Sequence, residues 1–161
     1  MRKRVVVGLC LGCVLLGCII GGTSGFFTRE ATGVLLPKNV DIFVDAPLKV
    51  AVRENFSFDV YIANTASRSQ TLESIDFSIP YLRSVGIVSS EPRWIGVQVL
   101  EWAEFQVFVY QRSIAPGETL TVRFSVLALS PGDHRGEVDV CINAISRCAR
   151  YAIRTVVEQE H

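Results

Sequence analysis

Apolar and polar residues alternate along most of the chain beyond residue 39. In the segment 55–62 every second residue is apolar, namely Phe56, Phe58, Val60 and Ile62, and the segment 120–126 alternates in the same way. A period of two predicts half-buried β-strands. Shorter apolar runs predict further strands over residues 40–44, 48–52, 72–78, 85–89, 97–100, 105–110, 136–143 and 149–157.

The prolines mark the boundaries of these strands. All six fall between the apolar runs, at positions 37, 47, 80, 92, 116 and 131. Because proline cannot donate a hydrogen bond to a sheet, this spacing supports the strand boundaries independently of hydrophobicity. Residues 81–85 predict one short helical turn and no more. Roughly eight to ten short strands in about 120 residues predict an all-β sandwich rather than a barrel.

Turn and strand motifs carry a resemblance to a known group of domains. They are Asn64-Thr65 at the end of a strand, Gln70-Thr71-Leu72 at the start of the next, the Pro116-Gly117-Glu118 turn before an alternating strand, and Gly136-Glu137-Val138-Asp139-Val140. Over roughly residues 40–157 the chain resembles the bacterial immunoglobulin-like modules of the CARDB and HYDIN-like groups. The resemblance implies an antiparallel immunoglobulin-like β-sandwich, here assigned to residues 39–161, and implies no particular activity.

An uncharged segment precedes the predicted domain. Residues 5–28 carry no charge, and the basic cluster Arg2-Lys3-Arg4 stands before them. A helix of about 20 apolar residues spans a bilayer, so residues 1–28 predict a transmembrane anchor or signal segment, joined to the domain by a tether over 29–38. The positive-inside rule keeps the basic cluster in the cytoplasm. The body is therefore predicted to lie on the extracytoplasmic side, periplasmic or at the cell surface.

Three fates are open for this segment. We favour a retained membrane helix, because the apolar character continues to Phe27, beyond the core of a signal peptide. The second is lipidation at Cys18, because Leu15-Leu16-Gly17-Cys18 resembles the bacterial lipobox, although Leu16 departs from the small residue usual at its position. The third is cleavage near residues 22–24.

Composition narrows the chemistry that the domain is expected to perform. Of 161 residues 49% are hydrophobic and 20% charged, and 16 Lys and Arg residues balance 16 Asp and Glu residues. This balance leaves no excess of basic residues with which to bind nucleic acid. The chain has only two histidines, its carboxylates are scattered, and His134 falls in a predicted exposed turn. We therefore predict no catalytic residue, no cofactor, no metal site and no nucleic-acid partner, and expect that the chain is not an enzyme.

Two cysteines fix the register of a predicted C-terminal hairpin. If Cys141 faces Cys148, opposed residue numbers sum to 289, which also places Asp139 opposite Arg150 on the outer face. In an oxidising compartment these thiols form a disulfide, and closing this short loop contributes about 2.5 kcal/mol. A metal site or a redox pair is the alternative, but the spacing of the two cysteines is poor for both.

Trp94 and Trp102 are candidate contact residues for a ligand or partner. Both lie near acidic residues, and exposed tryptophans offer a stacking surface for sugars or proteins. The other interpretation is that one of them is the large residue buried between the two sheets.

These observations predict a membrane-tethered, extracytoplasmic, non-catalytic interaction or structural module. It would present loops and sheet edges to another envelope protein. One alternative is a cell-wall or polysaccharide-binding domain that uses Trp94 and Trp102. Another is a thiol-redox accessory subunit of an envelope enzyme, which would use Cys141 and Cys148.

Overall fold

Ten strands and two single-turn helices form within residues 37–159, the part of the chain that the computed structural model describes. The strands are β1 (Val40–Asp45), β2 (Lys49–Ala51), β3 (Asn55–Asn64), β4 (Gln70–Ser78), β5 (Val85–Glu91), β6 (Gly96–Leu100), β7 (Phe105–Ile114), β8 (Thr119–Ala128), β9 (Gly132–Ile142) and β10 (Cys148–Glu158). The helical turns are α1 (Ile79–Leu82) and a 3-10 turn over Glu101–Ala103. The predicted anchor over 1–28 and the candidate lipidation site Cys18 lie outside the described residues. Within 37–159, no helix is long and apolar enough to cross a bilayer.

The strands form two sheets. One has four strands in the order β1-β3-β8-β5, and the other has six in the order β2-β10-β9-β4-β7-β6. Every adjacent pair is antiparallel except β2 and β10, which run parallel. The chain therefore changes sheets between β1 and β2. The predicted all-β sandwich is confirmed.

A group of phenylalanines fills the space between the sheets. Phe77 on β4 makes edge contacts with Phe58 and Phe124 of the opposite sheet, both with ring centroids at 5.1 Å, and with Phe108 on β7 at 5.9 Å. All four rings are almost fully buried. Edge-to-face packing at these distances adds to the free energy of burial. The centre of the sandwich is thus built on phenylalanine, not on tryptophan.

The α1 turn seals one end of the core. Its Tyr81 is buried, and the hydroxyl is hydrogen-bonded to Thr155 Oγ1 of β10 at 2.8 Å. Gly136 of β9 lies directly beneath this turn, where an added Cβ would collide with the Tyr81 Cβ. Only glycine lets β9 approach this closely. The turn in this way holds β4 against the middle of β9.

Candidate functional site

A row of side chains crosses the outer face of the six-stranded sheet. Because Phe77 and Phe108 point into the core, their neighbours on β4 and β7 point outward. The register places Gln98, Val107, Asp76, Asp139 and Arg150 side by side on five successive strands. This face would be solvated in a simple sandwich, yet Asp76 and Asp139 are both buried.

Two loops rise beside this row and enclose a groove. Trp102 belongs to the 3-10 turn that follows β6, and Ile145 belongs to the loop between β9 and β10. Both are strongly exposed, at 86% and 78%. We call the cavity between them the outer groove; it has a volume of about 440 Å³ and is lined mainly by Asp76, Leu100, Trp102, Val107, Val109 and Ile145. A cavity of this size falls in the range of small-molecule sites.

Asp76 lies at the floor of the outer groove, and no basic side chain of the described residues lines the groove beside it. It is only 9% exposed, and neither its Oδ1 nor the neighbouring Ser74 Oγ has a hydrogen-bond partner among the described residues. Asp76 Oδ2 is 3.7 Å from Cys141 Sγ, but a disulfide sulfur has no hydrogen to donate. Burial raises the pKa of Asp76 to about 7, and the charge of Asp139 acts in the same direction. The nearby Ser74 hydroxyl opposes this rise, although its contact with the carboxylate falls outside hydrogen-bonding geometry. An unpaired buried carboxyl is costly unless a ligand or a proton satisfies it.

Asp139, the neighbour of Asp76 on β9, is fully paired. Arg150 holds it with two hydrogen bonds, Nε to Oδ1 at 2.8 Å and Nη2 to Oδ2 at 2.7 Å. Arg150 also pairs with Glu137 at 3.1 Å and lies over the ring of Phe105. The predicted Asp139–Arg150 pair is confirmed. Since this guanidinium already serves two carboxylates, it does not neutralise Asp76.

The disulfide between Cys141 and Cys148 is confirmed, and so is the register whose opposed numbers sum to 289. Both residues are buried. The bond closes the loop that carries Ile145, and Asn143 Oδ1 fastens the same loop to β4 by accepting a hydrogen bond from the Thr71 backbone N–H at 2.8 Å. One wall of the outer groove is therefore fixed covalently.

Removing this disulfide should destabilise the fold measurably. For the double variant Cys141→Ala/Cys148→Ala we expect the free energy of unfolding to fall by about 2.5 kcal/mol, because the unfolded chain regains the entropy of an open loop. Urea denaturation measures the difference. Reductant should lower the stability of the wild type and leave the double variant unchanged; equal stability of the oxidised wild type and the variant would contradict the expectation.

The two candidate tryptophans do not come together in one site. Trp94 packs against the core, with its ring 5.0 Å from that of Phe108, and it lines a separate cavity with Val88, Ser90 and Arg93. Trp102 stands alone over the outer groove. A stacking surface built from both tryptophans therefore has no counterpart in this arrangement.

The sequence prediction missed Asp76, the most unusual polar residue of the domain. Asp76 was one of several scattered carboxylates, and no spacing singled it out. A usable signal was present, because Asp76 sits within a strand whose other residues are mostly buried on both faces. The loops that bury it lie about 26 and 69 residues further along the chain.

Comparison with known proteins gives distant structural likenesses only. No family model matches the chain, and no curated protein matches it. One similar solved structure is the Pseudomonas fluorescens alkylpurine DNA glycosylase AlkC, bound to DNA containing an abasic site analogue. Its sequence is 16% identical to this chain, and the TM-score is 0.45. The match covers 74% of this chain and 30% of the glycosylase. Another is AvmM, which catalyses macrocyclization in alchivemycin A biosynthesis, with 10% identity, a TM-score of 0.48, and coverage of 85% and 99%. This chain thus spans under a third of the glycosylase.

These likenesses correct one prediction. Both similar structures are enzymes, so the expectation that this chain is not an enzyme is contradicted and we withdraw it. The physical reason is that a β-sandwich is a scaffold, and chemistry depends on the residues placed on it. At these identities the likenesses assign no activity, substrate or catalytic residue to this chain.

Proposed function

We propose that this chain is a membrane-tethered, extracytoplasmic interaction module whose immunoglobulin-like sandwich presents the β6 edge to a partner protein of the cell envelope. The observation that carries the proposal is the exposed apolar edge itself. Val97 and Val99 on β6 are 44% and 54% exposed, and Ile95 just before the strand is 67% exposed. An unprotected edge of this kind pairs readily with a strand from another chain.

The other sheet edges are less suited to this role. β1 carries two aspartates, Asp41 and Asp45, and β2 has only three residues. β5 is interrupted by a register shift between Ile87 and Ser89. β6 has the sequence GVQVL, which contains no charge and no proline. Charges, short length and bulges are the usual protections of an edge, so β6 is the edge left open.

Strand order supports the immunoglobulin-like part of the proposal. The sheet order β1-β3-β8-β5 corresponds to the ABED sheet of a constant-type domain, and the adjacent strands β4, β9 and β10 correspond to CFG. β7 and β6 extend the second sheet beyond β4, and β2 pairs with β10 at the opposite edge of the same sheet. The extra hairpin therefore supplies the open edge. The proposed kinship with the CARDB and HYDIN-like modules is supported by the turn and strand motifs of the sequence.

The proposed membrane anchor and the proposed extracytoplasmic location are supported by two separate observations. The uncharged segment 5–28 behind a basic cluster supports a membrane anchor with the domain outside the cytoplasm. The disulfide supports the same side, because such bonds persist in oxidising compartments. A domain held near a membrane meets its partners at high effective concentration, so a modest edge contact suffices.

Site-directed photocrosslinking tests the proposal in the full chain in its own membrane. A photoreactive residue at Val99 should give an adduct of discrete mass with a partner protein, and Val97→Lys should abolish it, since a charge at the edge opposes strand pairing. The matched control is a photoreactive residue at Ser113, exposed on β7 of the same sheet but beyond the pairing with β6. Equal adducts at both positions, or none at Val99, would overturn the proposal.

A further inference from the structure

The outer groove combines apolar walls with a buried carboxyl group that no cation of the described residues neutralises. Leu100, Val107, Val109 and Ile145 supply apolar walls, and Trp102 supplies an exposed aromatic face. At the floor lie Asp76 Oδ1 and Ser74 Oγ, both buried and without partners. Buried polar atoms are almost always satisfied, so such an exception needs an explanation.

The charges around Asp76 define what could satisfy it. On β9 the neighbouring Asp139 is already paired, and on β10 Arg150 is committed to Asp139 and Glu137. On β7 the facing residues Val107 and Val109 are apolar. Within residues 37–159, Glu73 is the only charged residue besides Asp76 that lines the groove. Every charged side chain that lines the groove is therefore an acid, which favours a cation.

We infer that the outer groove binds a small protonated amine with an apolar ring, the ammonium group donating hydrogen bonds to Asp76 and Ser74 while the ring packs between Trp102 and Ile145. A primary ammonium has three donors and can reach both unsatisfied oxygens. Trp102 adds attraction for a positive charge held near its face. A neutral or anionic molecule with the same ring lacks this pairing.

The site is distinct from the proposed partner edge. Val97 and Val99 point toward the core side of the sheet, as their register partners Phe108 and Gln106 lie on that side, whereas Gln98 and Leu100 line the groove. Amine binding needs no partner protein, and edge pairing needs no amine. Failure of one proposal is therefore distinguishable from failure of the other.

Calorimetric titration of the full chain in detergent with 2-phenylethylammonium tests the inference. We expect saturable binding, weakened at least tenfold by Asp76→Asn and several-fold by Trp102→Ala. The matched control is Asp59→Asn, which changes an equally buried aspartate on the other sheet, paired with Arg123. This variant should keep the wild-type affinity, and thermal unfolding verifies that every variant is folded.

Two further measurements test whether the ligand must carry a positive charge. 2-Phenylethanol, which keeps the ring and one donor, should bind at least tenfold more weakly than the amine. Lowering the pH from 8 to 5 should weaken amine binding at least tenfold in the wild type, because a proton then occupies the carboxyl, and should have no such effect in Asp76→Asn. No saturable binding, equal binding of the alcohol, or unchanged affinity in Asp76→Asn would overturn the inference.

Discussion

Replacing Phe77 with alanine should lower the free energy of unfolding by about 3–5 kcal/mol, the range measured for large aromatic residues in well-packed cores. Phe77 is 1% exposed and contacts rings from both sheets, at 5.1 Å for Phe58 and Phe124 and 5.9 Å for Phe108. Deleting it leaves a cavity that these rings cannot fill without breaking their own edge contacts. The loss therefore includes both burial and the aromatic pairs.

Phe43→Ala is the matched control for this experiment. Phe43 lies on the edge strand β1, is 48% exposed, and contacts only the ring of Tyr61 among the aromatic side chains described. We expect a loss below about 1 kcal/mol. Urea denaturation of both variants gives the comparison. Losses of similar size would mean that the phenylalanine group is not the centre of the core.

The strands and their order along the chain were predictable because alternation reports directly on a half-buried sheet. The segment 55–62 became β3 and the segment 120–126 became β8, with Phe58 directly opposite Phe124. Register was predictable only in the C-terminal hairpin, where the one register that pairs Cys141 with Cys148 also places Asp139 opposite Arg150. No comparable marker fixes the pairing of β4 with β7.

One boundary was wrong for a physical reason. His134 was expected in a turn, yet β9 begins at Gly132 and His134 pairs with Thr155. The Pro131-Gly132 sequence predicts a turn, but pairing with the long strand β10 extends the ladder as far as Gly132. Arg154 then holds Asp133 with bonds of 2.7 and 3.0 Å across the strands. Tertiary pairing thus overrides the local turn preference.

The outer groove could not be predicted, because burial of Asp76 depends on residues distant in sequence. Strand alternation places Asp76 on the face that is normally solvated. Trp102 and Ile145 come from two different hairpin loops, and the pattern of a single strand contains no information about them. Their exposed side chains are also unremarkable one at a time. Only the assembled sheet shows that they enclose an acid.

Buried Asp76 should make the domain less stable as the pH rises from 4 to 8. The pKa of this carboxyl rises from 3.8 to about 7 on folding, chiefly through burial and further through Asp139 on β9. Between these values the folded chain keeps a proton that the unfolded chain has lost. Each pH unit then lowers the free energy of unfolding by about 1.4 kcal/mol, or about 4 kcal/mol in all.

Asp76→Asn isolates this effect, because asparagine fills the same space without titrating. The charged groups nearest to Asp76, namely Glu73 on its own strand and the Asp139–Arg150 pair on β9 and β10, are the same in both proteins. Facing it from β7 are the apolar side chains of Val107 and Val109. Urea denaturation gives the free energy of unfolding of each protein at each pH. The difference between the two values therefore cancels the contribution of the other carboxylates. We expect the free energy of unfolding of the variant to match that of the wild type near pH 4 and to exceed it by several kcal/mol at pH 8. A difference that stays constant with pH would show that folding does not raise the pKa of Asp76.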